Sequence, residues 1–470
     1  SLFDSPAEWY LKARQSVQRF TISQFGKHFL LFCCRYVVHS YNFFLFPSTF
    51  GAMDPEFTLS ASSIQFLSHY GFDYNKFLKD GIPYMNELQE KSLRQYLLAG
   101  NWEVCSALDR DSMKKTIDEV TSWIAGAEEE ETLTLRDLRG FQMFEVQLVL
   151  RQALQNVWTL PLGDNEVMVK KVSPQHRRLL ENSPRDSCQK ERILTSARGF
   201  TNLFQALVNA KKPLVGHNML MDLLHLHDKF YKPLPESYEE FKRNIHSLFP
   251  VLIDTKTVTK SVWKDHPFPR VSNLLEVYEV LCSSDINPTD PACPVIVLAS
   301  GCSRYAEKSS PHEAGYDAFL CGSGKILLNT SQILVLEHSN CFPALVTAEA
   351  NPSFSEYLGA LVQCLNQVHF TRGGVSSINF SGVDVPCRRP PLLVVHVQGW
   401  RGLSERHIYH EFKTLCRFHV QRLSGNQFIL QSSKYKHARL ALRHYKDHPH
   451  LQVSLYRHWR HSPHISCLLR

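Results

Sequence analysis

The feature that most constrains the fold is a regular alternation of helices and apolar strands between residues 197 and 282. The helical segment ARGFTNLFQALVNA is followed by KPLVGHNMLMDLLHLHDKF, in which a buried strand enters a helix through a turn at Gly216. The next strand, in LFPVLIDTK, ends at Asp254 and precedes the helical segment VSNLLEVYEVLC. This spacing predicts an α/β fold built around a sheet.

Composition limits the class of protein. The chain has 470 residues, 43% hydrophobic and 21% charged, so it is long enough for about two or three cores. Its formal charge of +7 permits a polyanionic partner without requiring one. Its 13 cysteines contain no C-x-x-C pair, which argues against a disulfide framework or zinc knuckle and favours a reducing, intracellular and cytoplasmic location. We find no secretory signal, and the most apolar N-terminal window is too interrupted by charges to span a bilayer.

Shifts in composition suggest a division into domains. Residues 105–195 hold an acidic run, a short amphipathic helix, a small strand and a polar, flexible exit, so we interpret them as a module inserted into an α/β core formed by residues 1–104 and 196–345. Residues 346–390 are interpreted as a linker. Residues 391–462 show the order strand, helix, strand, strand, helix, strand, which is typical of ferredoxin-like, RNA-recognition-like α+β domains.

Two aspartates follow the predicted strands of the core. Asp222 lies one turn into the helix after Gly216, which Asn218 is predicted to cap. A carboxylate on an apolar helix face is costly to bury unless it binds a cation or a donor, although an exposed position on an amphipathic helix stays open as an alternative. Asp254 either caps the segment that follows it or orients the ligands of a metal site.

The segment PHEAGYDAFLCG, residues 311–322, places His312 at the start of a predicted helix and Asp317 one turn inside it. The small residues Ala314 and Ala318 would leave room for a substrate backbone or a metal ion. A histidine at a helix N-terminus is disfavoured in its protonated form, so it can accept a proton near pH 7. A neutral base beside carboxylates fits hydrolysis assisted by two divalent ions, and hard carboxylate ligands suit Mg²⁺ or Mn²⁺ rather than zinc.

These segments resemble a known family. HEAGYDA matches the His-x-Ala-x-x-Asp-Ala signature of DEDD-type 3′→5′ exonucleases of the histidine subclass, and LVGHNMLMDLLH, SLFPVLIDTK and YNFFLFPSTFG resemble the poly(A)-specific ribonuclease family. The resemblance covers residues 1–330 and is closest to the branch that trims the 3′ ends of piRNA precursors in the germline. It implies a ribonuclease-H-like core with Asp222 and Asp317 as metal ligands and His312 as general base.

The resemblance also implies an activity and partners. We expect a metal-dependent 3′→5′ exoribonuclease with a two-ion Mg²⁺ or Mn²⁺ site, which shortens single-stranded RNA with a free 3′ end and releases nucleoside 5′-monophosphates. Poly(A) tails and piRNA precursors are the expected substrates, in deadenylation and in RNA-mediated gene silencing during spermatogenesis. PIWI-pathway proteins and a homodimer are expected partners. The parent protein is expected to be anchored at the endoplasmic reticulum or mitochondrial outer membrane by a segment absent from this chain.

One expected motif is missing from the sequence. The family's first acidic pair, an Asp-x-Glu on the opening core strand, should precede the SLFD segment with which this chain begins. We therefore expect a truncated product that lacks the first strand of its core and has impaired activity. The alternative is a non-catalytic RNA-binding or adaptor protein that keeps the nuclease fold.

Several other residues are weaker candidates. His225, three residues after Asp222, can face the same site, although an interior histidine is the simpler role. A zinc hydrolase using His225 and His227 is disfavoured, because residues two apart on a helix point to different faces. Lys170 and Lys171 of the insert are predicted to contact RNA phosphates, and Phe428 of the tail domain to stack on a base. Dimerisation or docking of a protein partner is an equal alternative for the tail.

Overall fold

The chain is described by a computed structural model, which covers residues 4–32, 36–50, 55–100, 102, 107–138, 141–163, 165–181, 183–262, 273–283, 296–302, 305, 310–322, 358–359, 361–370, 374–387, 389–399, 402–432 and 434–462. It divides into two compact units, which are treated separately. The larger unit comprises Ala13–Glu236 and Glu240–Asn366, and the smaller comprises Ser1–Lys12, Ser237–Glu239 and Gln367–Arg470.

Up to residue 322 the described helices are α1 Pro6–Arg19, α2 Ala61–His69, α3 Tyr74–Asp80, α4 Glu87–Ala99, α5 Ala107–Gly126, α6 Gln142–Ala153, α7 Pro174–Leu180, α8 Pro184–Arg198, α9 Phe200–Ala210, α10 Leu220–Leu226, α11 Tyr238–Leu248, α12 Thr255–Val262, α13 Leu274–Ser283 and α14 Ala314–Gly322. The strands of this stretch are β1 Gln24–Phe32, β2 Tyr36–Pro47, β3 Ile82–Tyr84, β4 Thr132–Leu135, β5 Val157–Leu162, β6 Glu166–Lys171, β7 Leu214–Gly216, β8 Leu252–Asp254 and β9 Ile296–Leu298.

The core of the larger unit is a mixed α/β structure, as its alternating pattern predicts. Strands β1 and β2 form a long antiparallel hairpin, and β2 also pairs in parallel with β3 and with β9. Strands β7 and β8 pair in parallel with each other and with no other described strand. The expected absence of the family's first core strand stays a prediction.

The inserted segment contains its own antiparallel sheet, in the order β4, β6, β5. Its apolar residues and residues of the flanking core form one buried cluster. The members of this cluster include Leu93, Leu97, Val120, Leu150, Val157, Val167 and Val169. The expectation of a polar, flexible exit is wrong, because residues 174–180 and 184–198 form α7 and α8. The hydroxyls of Ser173 and Ser183 cap these helices, and a proline follows each cap at a position where no N–H donor is needed.

A buried ion pair joins α8 to α6. Arg151 donates to Asp186 at 2.8 Å, and Asp186 also receives Lys190 at 2.9 Å. The Arg151 guanidinium lies 3.7 Å from the centre of the Trp158 ring and donates to the Thr159 hydroxyl at 2.7 Å. The charged groups are therefore buried with their hydrogen bonds satisfied, the condition under which such a pair is tolerated in a core.

The smaller unit contains strands β10 Gln367–His369, β11 Ser377–Asn379, β12 Leu393–Val397, β13 His419–Arg422, β14 Gln427–Gln431 and β15 Leu451–Leu455, and helices α15 Glu405–Lys413, α16 Tyr435–His444 and α17 His458–His461. Strands β12 to β15 form an antiparallel sheet in the order β13, β14, β12, β15. A core of β12 and β14 side chains packs against α15 and α16 through Ile408, Phe412, Ala438 and Ala441.

The stretch interpreted as a linker is only partly one. Its described residues include the β10–β11 hairpin, which the sequence patterning misses. Phe370, after β10, packs edge to face on Trp9 at 5.2 Å between ring centres, and Tyr238 donates to Asp384 at 2.7 Å. These contacts bring three separate segments of the chain into the smaller unit. In neither unit does a described helix have the length and apolar character needed to cross a bilayer.

We predict that Asp186→Asn lowers the free energy of unfolding by about 3 kcal/mol, because it leaves the Arg151 guanidinium buried without its counter-charge. Asp111→Asn is the matched control: Asp111 pairs with Lys114 at 3.0 Å, but both side chains are more than 70% exposed. The control should cost less than about 1 kcal/mol. Urea unfolding midpoints of the two variants measure the difference, and equal shifts would contradict the role of the buried pair.

Candidate active site

The turn between β7 and α10 is held by a buried carboxylate. Oδ1 of Asp254 accepts the backbone N–H groups of Asn218 at 2.9 Å and Lys256 at 3.0 Å, and Oδ2 accepts that of Met219 at 3.3 Å. The predicted cap by Asn218 is wrong: Asn218 has a left-handed φ of 58°, and α10 begins after Met219 with no side-chain cap of its own. The carboxylate of Asp254, at the end of β8, accepts the backbone N–H groups just before α10 instead.

The first role predicted for Asp254, capping the segment that follows it, is observed. Its bond to Lys256 starts α12, and its bonds to residues 218 and 219 fix the turn that carries Asp222. The carboxylate is fully buried, so these charge-assisted bonds replace the water that it has lost. Its second predicted role, orienting the ligands of a metal site, stays a prediction.

Asp222 lies in the first turn of α10. Its side chain is exposed to solvent, yet protein atoms surround it closely. Desolvation, helped by the negative charges of Asp254 and Asp317 and opposed by its own backbone N–H, raises the pKa of Asp222 to about 6. The structure therefore brings Asp222, Asp254 and Asp317 close enough for their charges to interact, although they come from three distant segments.

Asp317 and His312 meet at the first turn of α14. Desolvation raises the pKa of the half-buried Asp317, while a positive charge on His312 and the His312 backbone N–H oppose that increase. The imidazole of His312 is exposed and makes edge contacts with Phe66 and Tyr70, at 4.9 and 4.3 Å between ring centres. His312 also has a left-handed φ of 67°, so its ring leaves the chain just before the helix begins.

The small residues of this turn serve close packing. A Cβ atom on Gly26 of β1 would lie 1.8 Å from the carbonyl oxygen of Ala314, and one on Gly315 would lie 2.8 Å from Cβ of Asn42. The Gly315 N–H donates to Oδ1 of Asn42 at 3.1 Å. The backbone of Ala314 thus packs against β1, and the room for a substrate or metal ion predicted at Ala314 and Ala318 stays a prediction.

Several residues that lie near Asp317 and His312 are missed by the sequence analysis. Cys321, one turn beyond Asp317, is buried, and desolvation together with the charges of Asp317, Asp254 and Asp222 raises the pKa of its thiol well above the usual range. Phe66 lies on α2, a helix with no buried residues, and Tyr70 follows its last residue. The sequence shows an aromatic pair at this unburied helix, but nothing in the sequence connects that pair to His312.

The donors present fit part of a divalent-cation site. No group of three or more His, Cys, Asp and Glu side chains within the described ranges has the arrangement needed to hold a metal ion. Asp222 and Asp317 offer hard oxygen donors, and the charge of Asp317 destabilises the ionised form of Asp222. A divalent cation such as Mg²⁺ would relieve that repulsion, and it takes one or two protein carboxylates in many sites.

The histidines considered for zinc are separated by the structure. The Nδ1 atom of His227 lies 2.9 Å from the Lys232 carbonyl oxygen, and its Nε2 atom lies 3.1 Å from the Asn244 amide nitrogen. His225 has a buried Nδ1 with no hydrogen-bond partner among the described residues, and desolvation lowers its pKa to about 4. His227 therefore has a structural role, and a place for His225 beside Asp222 stays a prediction.

The residues predicted to contact RNA have other neighbours in the structure. Lys171 donates to the carbonyl oxygens of Ile124 at 3.0 Å and Ala127 at 2.6 Å at the end of α5, and Lys170 pairs with Glu130. Their contact with RNA stays a prediction. Phe428 is fully buried in the core of the smaller unit, so the prediction that it stacks on a base is wrong.

We predict that Asp254→Asn lowers the free energy of unfolding by about 2–3 kcal/mol, because an amide offers one acceptor oxygen where the carboxylate offers two charged ones. Asp118→Asn, at an exposed position of α5, is the control with the same change in charge. Chemical denaturation measures both variants. The assignment of Asp254 to the turn fails if the two variants are equally stable.

A second prediction concerns acid stability. Desolvation lowers the pKa of His227 to about 4 in the folded chain, against about 6.5 when unfolded. The neutral ring therefore stabilises the fold above pH 6.5, and this contribution of up to about 3 kcal/mol is lost as the pH falls towards 4. His227→Gln should flatten the decline in unfolding free energy between pH 7 and 4.5, whereas the exposed control His69→Gln should not. Parallel pH profiles for wild type and His227→Gln would contradict the assignment.

Comparisons with known proteins identify the family of the chain. Residues 1–324 match the family described as CAF1 family ribonuclease. The whole chain is 57% identical to poly(A)-specific ribonuclease PNLDC1 of Homo sapiens, over 90% of that protein. It is 29% identical to the pre-piRNA 3′-exonuclease trimmer of Bombyx mori, over 84% of this chain and 74% of the relative, and 31% identical to poly(A)-specific ribonuclease PARN of Homo sapiens, over 68% of this chain and 53% of that relative. The family match spans more than half of the sequence and includes Asp222, His312 and Asp317, so the chain belongs to the CAF1 family of ribonucleases.

Proposed function

We propose that the chain is a divalent-metal-dependent 3′→5′ exoribonuclease that removes nucleoside 5′-monophosphates from the 3′ ends of single-stranded RNA. Asp222 and Asp317 would hold the metal ion, Mg²⁺ or Mn²⁺, and His312 would act as the general base. The observation that carries this proposal is the meeting of two carboxylates from separate helices beside an exposed imidazole.

The chain's own residues would do three things in such a reaction. His312 accepts a proton from the attacking water on a ring nitrogen, and the rings of Phe66 and Tyr70 keep the imidazole in place. Asp317 accepts a hydrogen bond from the backbone N–H of His312, and this bond fixes the position of the proposed base relative to the proposed metal ligand. A bound divalent ion would supply activation of water and stabilisation of charge on the phosphate oxygens. The water oxygen forms a bond to the terminal phosphorus, the bond between that phosphorus and the preceding 3′ oxygen breaks, and the 3′ oxygen takes up a proton from solvent to become a hydroxyl.

The substrate class follows from the relatives. One is named a poly(A)-specific ribonuclease and another a pre-piRNA 3′-exonuclease trimmer, so poly(A) tails and piRNA precursors are the RNAs to test. The βαββαβ order of the smaller unit supports a ferredoxin-like, RNA-recognition-like domain. The homodimer, the PIWI-pathway partners, the germline role and the anchored parent rest on the resemblance alone.

A non-catalytic RNA-binding or adaptor protein is the second candidate. Such a protein would keep the nuclease fold and bind RNA without cutting it. The two candidates differ in what happens to bound RNA.

We predict that the purified chain with Mg²⁺ shortens 5′-labelled oligo(A) to a ladder of products, and that Asp317→Asn lowers the rate at least about 100-fold, or about 2.7 kcal/mol of transition-state stabilisation. Chelation of the metal should have the same effect. Asp118→Asn, with an identical change in charge on the exposed face of α5, should be fully active. Oligo(A) that is retarded in a native gel but stays intact with the wild-type chain would establish the adaptor instead.

A further inference from the structure

The positive charge of the chain is concentrated in one domain. Residues 389–462 contain 13 lysines and arginines against 3 acidic residues, so they carry a formal charge of +10. The whole chain carries +7, which leaves −3 for all other residues together. A mildly basic protein thus consists of a slightly acidic body and one strongly basic domain. Such a distribution indicates a polyanionic ligand for that domain.

Much of this charge lies on and beside one helix. The α16 helix buries Ala438 and Ala441 in the core of the domain. Lys436, Arg439 and Arg443 are exposed, and their spacing of three and four residues aligns them on one side of the helix. Lys434 and Lys446 are exposed just before and after the helix. We call these five residues the α16 cationic face.

No ion pair neutralises the α16 cationic face among the described residues. None of its five side chains makes an ion pair or a hydrogen bond with a described residue. The domain has three acids: Glu405 accepts the backbone N–H of Arg422 at 2.7 Å, Glu411 accepts the Tyr445 hydroxyl at 3.1 Å, and Asp447 is exposed beside Lys446 without an ion pair to a described residue. Arg443 lies in the last turn of α16, where a cation suits the helix dipole, but Lys436 lies in the first turn, and like charges four residues apart destabilise a helix. The helix dipole therefore accounts for Arg443 but not for Lys436 or Arg439.

The sheet of the domain offers a different surface. Phe428 faces the core, and the opposite side of β12 and β14 carries the cross-strand pairs Val394–Ile429 and His396–Gln427, of which Val394 is fully buried. His396 also lies 6.1 Å from His461 of α17, measured between ring centres. Among the described residues of β12 and β14, no Phe, Tyr or Trp lies on this side as a platform for bases. The ligand chemistry that the domain displays is recognition of phosphates.

We propose that the α16 cationic face binds the phosphodiester backbone of single-stranded RNA, as a second RNA-binding surface separate from Asp222, Asp317 and His312. The inference rests on the proposed function in one respect, that RNA is the polyanion the protein meets. Recognition is independent of sequence, because lysine and arginine contact phosphates rather than base edges. Affinity therefore increases with RNA length and falls steeply with salt.

The test is equilibrium binding by the full chain, in EDTA so that no RNA is cut. Fluorescence anisotropy follows a labelled oligo(A) about 30 nucleotides long between about 50 and 200 mM salt, where backbone contacts dominate. The variant is the triple Lys436→Glu, Arg439→Glu and Arg443→Glu. It should bind at least about tenfold more weakly, and the slope of log K against log salt should be smaller by about 2, at about 0.7 per lost phosphate contact.

The matched control changes the same charge elsewhere in the domain, at three exposed cations of α15 and its exit: Arg406→Glu, Lys413→Glu and Arg417→Glu. It should retain the wild-type salt slope. Equal losses in the two triples would show a general charge effect and overturn the proposal. So would an unchanged RNA affinity in the α16 triple combined with lost binding to vesicles of anionic lipid, which would assign the face to a membrane surface.

Two further measurements keep the outcome unambiguous. If the glutamate triple fails to fold by circular dichroism, the triple Lys436→Gln, Arg439→Gln and Arg443→Gln replaces it, with the same expected loss of slope. Shortening of an oligo(A) of about six nucleotides with Mg²⁺ tests the proposed nuclease separately, and both triples should leave its rate unchanged. Absence of shortening in wild type together with α16-dependent binding would refute the nuclease and leave the RNA-binding face standing.

Discussion

The buried carboxylate of Asp254 is the interaction on which the chemistry of the larger unit depends. It sits at the end of β8, without contact to solvent, and accepts backbone N–H groups from two separate turns. A negative charge can be buried there only because those donors point at it. The same bonds determine where α10 begins and hence where Asp222 projects. The charge of Asp254 then contributes to the raised pKa of Asp222, so one group both positions this carboxylate and makes its ionised form less favourable.

Some of this arrangement can be predicted from the sequence, because it depends on residues that are close together in the chain. Gly216 and the apolar run around it predict the strand, the turn and α10, and the motif at His312 predicts the start of α14 to within a residue. The acceptor for the turn is different. Asn218 is the local candidate, whereas the structure uses Asp254, which lies far along the chain. Sequence spacing carries no information about such a contact.

The wrong predictions share a physical cause. The segment before Arg198 was interpreted as flexible because it is polar, yet Asp186 is buried by its pairing with Arg151. Polarity indicates exposure only where a side chain has no partner. Phe428 shows the converse: a period of two identifies the faces of a strand but not which face the helices cover. The contacts of Phe66 and Tyr70 with His312 also join distant parts of the chain, so the analysis of single segments cannot predict them.

The contact between Gly26 and Ala314 has a consequence for how the chain tolerates change. The first turn of α14 packs so closely against β1 that position 26 has room only for the hydrogen atom of a glycine. Any side chain at position 26 would push the strand and the helix apart, and both His312 and Asp317 would travel with the helix. A residue that has no functional group, and that lies far from His312 and Asp317 in the chain, therefore determines where both of those side chains lie.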